Sequence, residues 1–203
     1  MPAYETGGAR AVSVLVDAAF AGSLDDLRTA RATTRMPLLA KGFFSTEEQL
    51  REVREAGADA ALLILRDLDD ATASRLLRVA EELGLDTLVE AHDDEELERA
   101  TRLDARIIGV NARDLGTFRI DRAAQLELVA KAPRDRVVVA ESAIHTRAQA
   151  AAAELAGGLG PENVRQAIET VHPWAVDAAS SLEREPGVKD HAKVRAYVEA
   201  ARS

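Results

Sequence analysis

Cysteine is missing from all 203 residues, which excludes disulfides, thiolate nucleophiles and cysteine-ligated metal centres. Aromatic residues are scarce, 3% against 47% hydrophobic overall. A core must therefore be built from Ala, Val, Leu and Ile, which suit the tight layers of a parallel barrel better than a β-sandwich. No apolar run approaches the roughly 18 residues of a membrane-spanning helix, and the opening MPAYETGGAR lacks the apolar stretch of a signal peptide. Positive charge is also in deficit: 26 Lys and Arg against 35 Asp and Glu leave a formal net charge of −9. Long-range repulsion then opposes nucleic acid or an anionic membrane as the main partner, and an anionic small molecule needs locally placed cations. The expectation is a cytoplasmic protein with neither a nucleic-acid nor a membrane partner.

What is present is a repeat of short apolar runs, each followed by an amphipathic stretch. The runs are AVSVLV at 11–16, PLLAK at 37–41, DAALLIL at 59–65, DTLVE at 86–90, ARIIGV at 105–110, RVVVAE at 136–141, AELAG at 153–157 and WAVDAA at 174–179. Their starts average about 23 residues apart, room for a strand, a short loop and a helix. Gly57 and Gly84 sit where helix C-caps belong, DDEELERATRL after 92 reads as a helix start, and Pro161 is expected inside the first turn of another helix. Strands apolar on both faces belong to a sheet covered on both sides. Eight βα units are the number that closes a (β/α)8 TIM barrel of eight parallel strands. The rival doubly wound sheet usually carries a glycine-rich fingerprint after its first strand, and none is present. The expected fold class is α/β, with residues 1–203 forming one barrel domain. Its weakest stretch is 142–158, where the sixth helix is short and mostly Ala.

Barrel chemistry gathers at the C-terminal ends of strands, where loops and helix N-termini meet. Those positions hold Asp17, Lys41, Arg66, Glu90, Asn111 with Arg113, Glu141 with Ser142, Gly157 with Gly158, and Ser180 with Ser181. Lys41 directs a cation into the mouth, where burial and neighbouring carboxylates suit it to donate a proton. Glu90 and Glu141 each end an apolar strand, where a carboxylate is costly unless paired or functional. They serve either in catalysis or as structural ion pairs to Lys41 and Arg113. LAGGLGPENV at 155–164 reads as strand, glycine turn and helix N-terminus. Its bare N–H groups at Gly157 and Gly158, with hydroxyls from Ser180 and Ser181, suit a phosphate. His92 and His145 read as ordinary loop histidines, Trp174 as an anchor for the eighth strand, and DLDDATASR and HDDEELER as solvated helix starts.

The segments YETGGARAVSVL, FAGSLDDL, PLLAKGFF, GADAALLIL, DTLVEAHDDEELERA, RIIGVNARDLGTF and VVVAESAI, over residues 4–150, resemble indole-3-glycerol-phosphate synthase in order and spacing. LAGGLGPENVRQAI, VDAASSLE and REPGVKDHAKVRAYVEAAR, over 153–203, resemble the end of phosphoribosylanthranilate isomerase. The join falls within 146–155. Both families are (β/α)8 barrels of tryptophan biosynthesis, so the resemblance implies a shortened fusion: six strands like strands 2 to 7 of the synthase, then two like strands 7 and 8 of the isomerase. It further implies a carboxy-lyase that closes an indole ring by decarboxylating and dehydrating carboxyphenylamino-deoxyribulose phosphate. By motif, Lys41 takes the general-acid role, Glu90 the general-base role in V-E-x-H, and Asn111 the place in G-V-N-x-R. Glu141 and Ser142 take the E-S-G positions that orient substrate.

The match departs from the synthase in three places. The first strand, with its second lysine, is not among these segments, Gly42 stands where the family has aspartate, and the eighth strand is replaced. The isomerase reading remains open, with Asp17 and Glu141 as its base and acid in place of the family's Cys and Asp. So does a catalytically impaired barrel that binds sugar phosphates. In every case the expected partner is a small sugar phosphate, with no cofactor and no metal, acting on a monomer or homodimer.

Overall fold

The computed structural model describes residues 2–111, 122–141, 155–156, 160–171, 176–178, 180–185 and 188–202. Eight parallel strands form one sheet whose hydrogen-bonded neighbours follow chain order. They are β1 (Val12–Leu15), β2 (Leu38–Lys41), β3 (Ala60–Ile64), β4 (Asp86–Ala91), β5 (Ile107–Asn111), β6 (Val137–Glu141), β7 (Leu155–Ala156) and β8 (Val176–Asp177). Each of the eight apolar runs coincides with one of these strands to within a few residues, β4 and β5 extending one residue past theirs to Ala91 and Asn111. Parallel neighbours in strict sequence order, joined through helices, are the arrangement of a TIM barrel.

The helices begin where side chains satisfy their first free N–H groups. Ser23 caps α2 (Leu24–Thr33), Thr46 and Gln49 form a capping box on α3 (Glu47–Glu55), Asp69 caps α4 (Asp70–Glu82), and Asp93 caps α5 (Asp94–Arg102); α6 (Arg122–Lys131) lies between β5 and β6. Two of these helices end as expected. Gly57 at φ +105° and Gly84 at φ +62° adopt left-handed conformations. Ala58 N–H returns to Val53 O and Leu85 N–H to Ala80 O, closing the same C-terminal turn. Residues 161–163, by contrast, form a turn, and α7 (Val164–Val171) starts only at Val164. Pro161 therefore precedes that helix rather than opening it. Asn163 Oδ1 accepts from Gly160 N–H at 2.7 Å, so the turn is closed by a side chain.

Strand side chains alternate between two apolar layers. Val12, Val14, Leu38, Ala40, Ala61, Leu63, Val89, Ile108 and Val110 join Leu27, Leu50, Val53, Leu76 and Ala100 from α2–α5 in one core between sheet and helices. Leu62, Ile64 and Leu88 form a second cluster with Leu39, Ile107 and Val139 on the opposite, inner face. Several of the outer-layer leucines are fully buried, each contributing about 1.5–3 kcal/mol. The ends of the chain meet. α1 (Pro2–Gly7) sets Ala3 and Tyr4 against Val194, Tyr197 and Val198 of α8 (His191–Arg202), with Val164 of α7 and Leu182 in the same cluster. An antiparallel ribbon that the sequence did not suggest, β9 (Glu183–Glu185) with β10 (Val188–Lys189), joins β8 to α8 and is held by Lys189 Nζ–Glu183 Oε1 at 2.5 Å.

Candidate active site

The inner parity of the strands decides which polar groups meet. Lys41, Glu90, Asn111 and Glu141 stand at or next to the C-terminal ends of β2, β4, β5 and β6, in step with Leu39, Leu88, Ile107 and Val139 on the inner face. Lys41 Nζ reaches Glu141 Oε2 across the bore at 3.2 Å. Glu90 is buried and receives a hydrogen bond from the Asn111 side chain. The two carboxylates also face each other. Gly109 of β5 makes room for this arrangement, since a Cβ there would lie 2.1 Å from Glu141 Oε1. Sequence reasoning passed over Gly109, although a glycine inside a strand marks a close approach.

The carboxylates respond oppositely to burial. Desolvation pushes Glu141 up to about 7, and the adjacent Glu90 charge adds to the rise while Lys41 opposes it. Glu90 is equally shielded, but pairing with His92, the Asn111 hydrogen bond and the Lys41 charge together outweigh desolvation and hold it below the usual range. One group is thus poised to carry a proton and the other to stay ionised.

His92 is not the ordinary loop residue expected. Its side chain is 2% exposed and both ring nitrogens face carboxylates, Nδ1 at 2.9 Å from Glu96 Oε2 and Nε2 at 3.1 Å from Glu90 Oε1. The latter contact is an ion pair not aligned as a hydrogen bond. Burial opposes the charge, yet the two glutamates raise His92 to about 9. The expectation of a solvated HDDEELER start holds for Asp93, Asp94, Glu95 and Glu98, which are exposed, and fails at Glu96. Glu96 is buried, accepts the His92 backbone N–H at 2.8 Å, and lies 3.5 Å from Arg66 Nε. The missed signal was the i, i+4 spacing of His92 and Glu96, which places the glutamate in the first turn of α5 beside the residue before the cap.

These shifts set a pH dependence of stability. His92, raised from 6.5, contributes fully below that value and loses its contribution as pH climbs through about 9. Glu141, raised from 4.5, loses its contribution between there and about 7. Glu90 and Glu96, both lowered, contribute above 4.5 and lose their contribution as acid protonates them. Thermal unfolding should give the highest Tm near about pH 5 and a steady fall to about pH 9. A Tm rising over that interval contradicts this charge assignment.

The remaining expected site residues are less concentrated. Asp17 lies two residues past β1, and its Oδ1 caps the 3-10 turn Ala18–Phe20 by accepting Ala19 N–H at 2.8 Å. Gly42 is buried beside it, and a Cβ there would press Val16 at 3.1 Å and Phe44 at 3.2 Å, so the local packing disfavours an aspartate. Ser180 and Ser181 open a 3-10 turn after β8. Arg113, Ser142, Gly157, Gly158, His145, Trp174 and most of 142–158 lie outside the described residues. Among the described residues no group of three or more His, Asp or Glu is arranged to hold a metal ion, and no helix is long and apolar enough to cross a membrane. A groove of about 950 Å³ opens at the opposite end of β4–β6, lined in part by Asp86, Arg106 and Arg136, and shares no residue with the cluster.

A family model described as indole-3-glycerol phosphate synthase matches residues 2–159. The synthase of Micrococcus luteus is 49% identical over 156 residues, 76% of this chain and 58% of that protein. That of Desulfosudis oleivorans is 49% identical over 145 residues, 71% and 55% of the respective lengths. The match thus spans little more than half the length of these relatives. In three dimensions, phosphoribosyl anthranilate isomerase from Thermotoga maritima aligns with a TM-score of 0.70 at 22% identity, covering 99% of this chain and 92% of that one. N-(5'-phosphoribosyl)anthranilate isomerase from Pyrococcus furiosus gives 0.63 at 19%, covering 100% and 94%. At such identities these two show a shared fold alone. With the strand order and the family match over most of its length, the chain belongs to the indole-3-glycerol phosphate synthase family and has the TIM-barrel fold.

Proposed function

We propose that this chain closes the indole ring of carboxyphenylamino-deoxyribulose phosphate, with loss of carbon dioxide and water. The observation that carries the reading is the convergence of Lys41, Glu90, Asn111 and Glu141 from four strands at one end of the bore. Lys41 donates a proton to the ketone oxygen as the ring carbon attacks, the carboxyl group leaves as carbon dioxide, and the new hydroxyl takes a second proton from Lys41, recharged by solvent, and departs as water. Glu90, held ionised, accepts the proton released during dehydration. Glu141 orients Lys41 and the substrate. The sugar phosphate is held at the ends of β7 and β8, by Gly157 and Gly158 with Ser180 and Ser181, and Arg113 and Ser142 border the same substrate.

We further read the chain as one barrel domain in which residues 1–150 are synthase-like and 153–203 isomerase-like, a shortened fusion. It acts in the cytoplasm, without cofactor, as a monomer or homodimer. One observation favours a second reading, phosphoribosylanthranilate isomerase. Glu141, pushed up to about 7, is a carboxylic acid able to donate a proton, with Asp17 the base. Against it, Asp17 already spends one oxygen on a turn.

The deciding assay offers purified protein each substrate in turn. Formation of indole-glycerol phosphate, followed by its fluorescence, supports the synthase. Turnover of phosphoribosylanthranilate alone replaces it with the isomerase, and turnover of neither leaves only an impaired sugar-phosphate-binding barrel.

A further inference from the structure

Three ionisable side chains, His92, Glu90 and Glu96, are almost fully buried in a line, their exposures 2%, 5% and 8%. Beyond them the line continues in both directions. Arg66, 37% exposed in the turn after β3, meets Glu96 at 3.5 Å. On the inner side Glu90 faces Glu141, which holds Lys41 at 3.2 Å. Charges of alternating sign thus run from Arg66 at the barrel surface through Glu96 and His92 to Glu90, where a second carboxylate, Glu141, meets Lys41 at the mouth. Burying such groups is expensive, and the local fold calls for only one of their contacts, the Glu96 side chain accepting the His92 backbone N–H at 2.8 Å. The start of α5 is already capped by Asp93, whose Oδ1 takes the Glu96 N–H at 2.9 Å.

We propose that His92 is a positioning residue: gripped at one ring nitrogen by Glu96 and facing Glu90 with the other, it fixes the Glu90 carboxylate in its ionised, inward-pointing state, with Arg66 anchoring the far end. This rests on the reading of Glu90 as general base. The charged groups that face His92 are Glu90 from β4 and Glu96 from α5. Arg66 stands behind Glu96, and Lys41 from β2 and Glu141 from β6 stand behind Glu90. The contact geometry fits the role. A neutral imidazole offers a single N–H, whereas an imidazolium serves both carboxylates at once and leaves neither buried charge uncompensated.

The test compares His92→Gln and Glu96→Gln with the unaltered chain. Glu96→Gln keeps an acceptor for the His92 backbone N–H and guards against a folding failure of the first variant. In both, the acid limb of the kcat/KM profile should move up by about one pH unit, about a tenfold loss at acid pH that recovers as pH rises. KM should change less than about twofold. A loss equal at every pH overturns the proposal, because damage to packing alone does not titrate.

A second readout needs no turnover. Carbon NMR of the Glu90 carboxyl should show its midpoint higher in His92→Gln, and nitrogen NMR should show both His92 ring nitrogens protonated at pH 7.5 in the unaltered chain. If the unaltered protein makes no indole product, the synthase reading falls and the NMR titrations still decide the relay. An unmoved Glu90 midpoint overturns it.

Discussion

Lys41→Met should abolish ring closure, lowering kcat by about 10²–10⁴-fold, the range expected when a positioned general acid is lost. The effect is large because Lys41 enters the reaction twice over. Its Nζ is the proposed donor to the ketone, and it lies 3.2 Å from Glu141, a group buried to 5% exposure. Without that cation Glu141 rises further and takes up a proton, since a neutral carboxylic acid avoids the cost of a bare buried charge. The variant should therefore fold, with unchanged circular dichroism, while turnover disappears. Glu141→Gln added to Lys41→Met should not restore activity. It should make the remaining Tm less dependent on pH from about 4.5 to beyond about 7, the interval over which Glu141 loses its contribution once Lys41 no longer holds it down. Retention of ring closure in Lys41→Met would remove this lysine from the acid role.

Gly109→Ala is the second large effect, and it comes from a residue with no polar atom in its side chain. The new Cβ would sit 2.1 Å from Glu141 Oε1 and 3.4 Å from Leu88 Cδ1. The first contact is impossible, so either the carboxylate swings away from Lys41 and Glu90 or β5 moves. Overpacking of this kind costs about 1–3 kcal/mol. Because the displaced group is part of the candidate site, turnover should fall by about 10–100-fold as well. Glu141→Asp shortens the offending side chain, so the double variant should be more stable than Gly109→Ala alone. A cycle of the four proteins by chemical denaturation measures that coupling. Strict additivity would mean that Gly109 and Glu141 do not compete for the same space.

The parallel architecture was legible because both of its signals are local. A strand apolar on both faces, followed by a capped amphipathic helix, announces itself within about 23 residues. Lys41, Glu90, Asn111 and Glu141 could be singled out by the same means, since each polar residue ends or closely follows an apolar run. His92 and Glu96 were misjudged because their environment depends on partners from elsewhere. HDDEELER has the composition of a solvated helix start, and its burial is decided by Glu90 from the preceding strand and Arg66 from the turn after β3. The start of α7 was misplaced at Pro161 because Asn163 closes a turn before it, a competition between two good local signals.

The sequence by itself determined the number and order of the βα units, the left-handed turns at Gly57 and Gly84, and the residue types at the strand ends. All of these rest on interactions within a few residues, which composition and spacing encode directly. Only the tertiary structure decided which strand-end groups touch, that Glu141 rises while Glu90 falls, and that His92 is charged and buried. Those outcomes depend on the distance across the bore between β2 and β6, on the space left at Gly109, and on desolvation by elements far apart in the chain. Electrostatics in a buried cluster is a property of its whole surroundings, and no segment of sequence contains them.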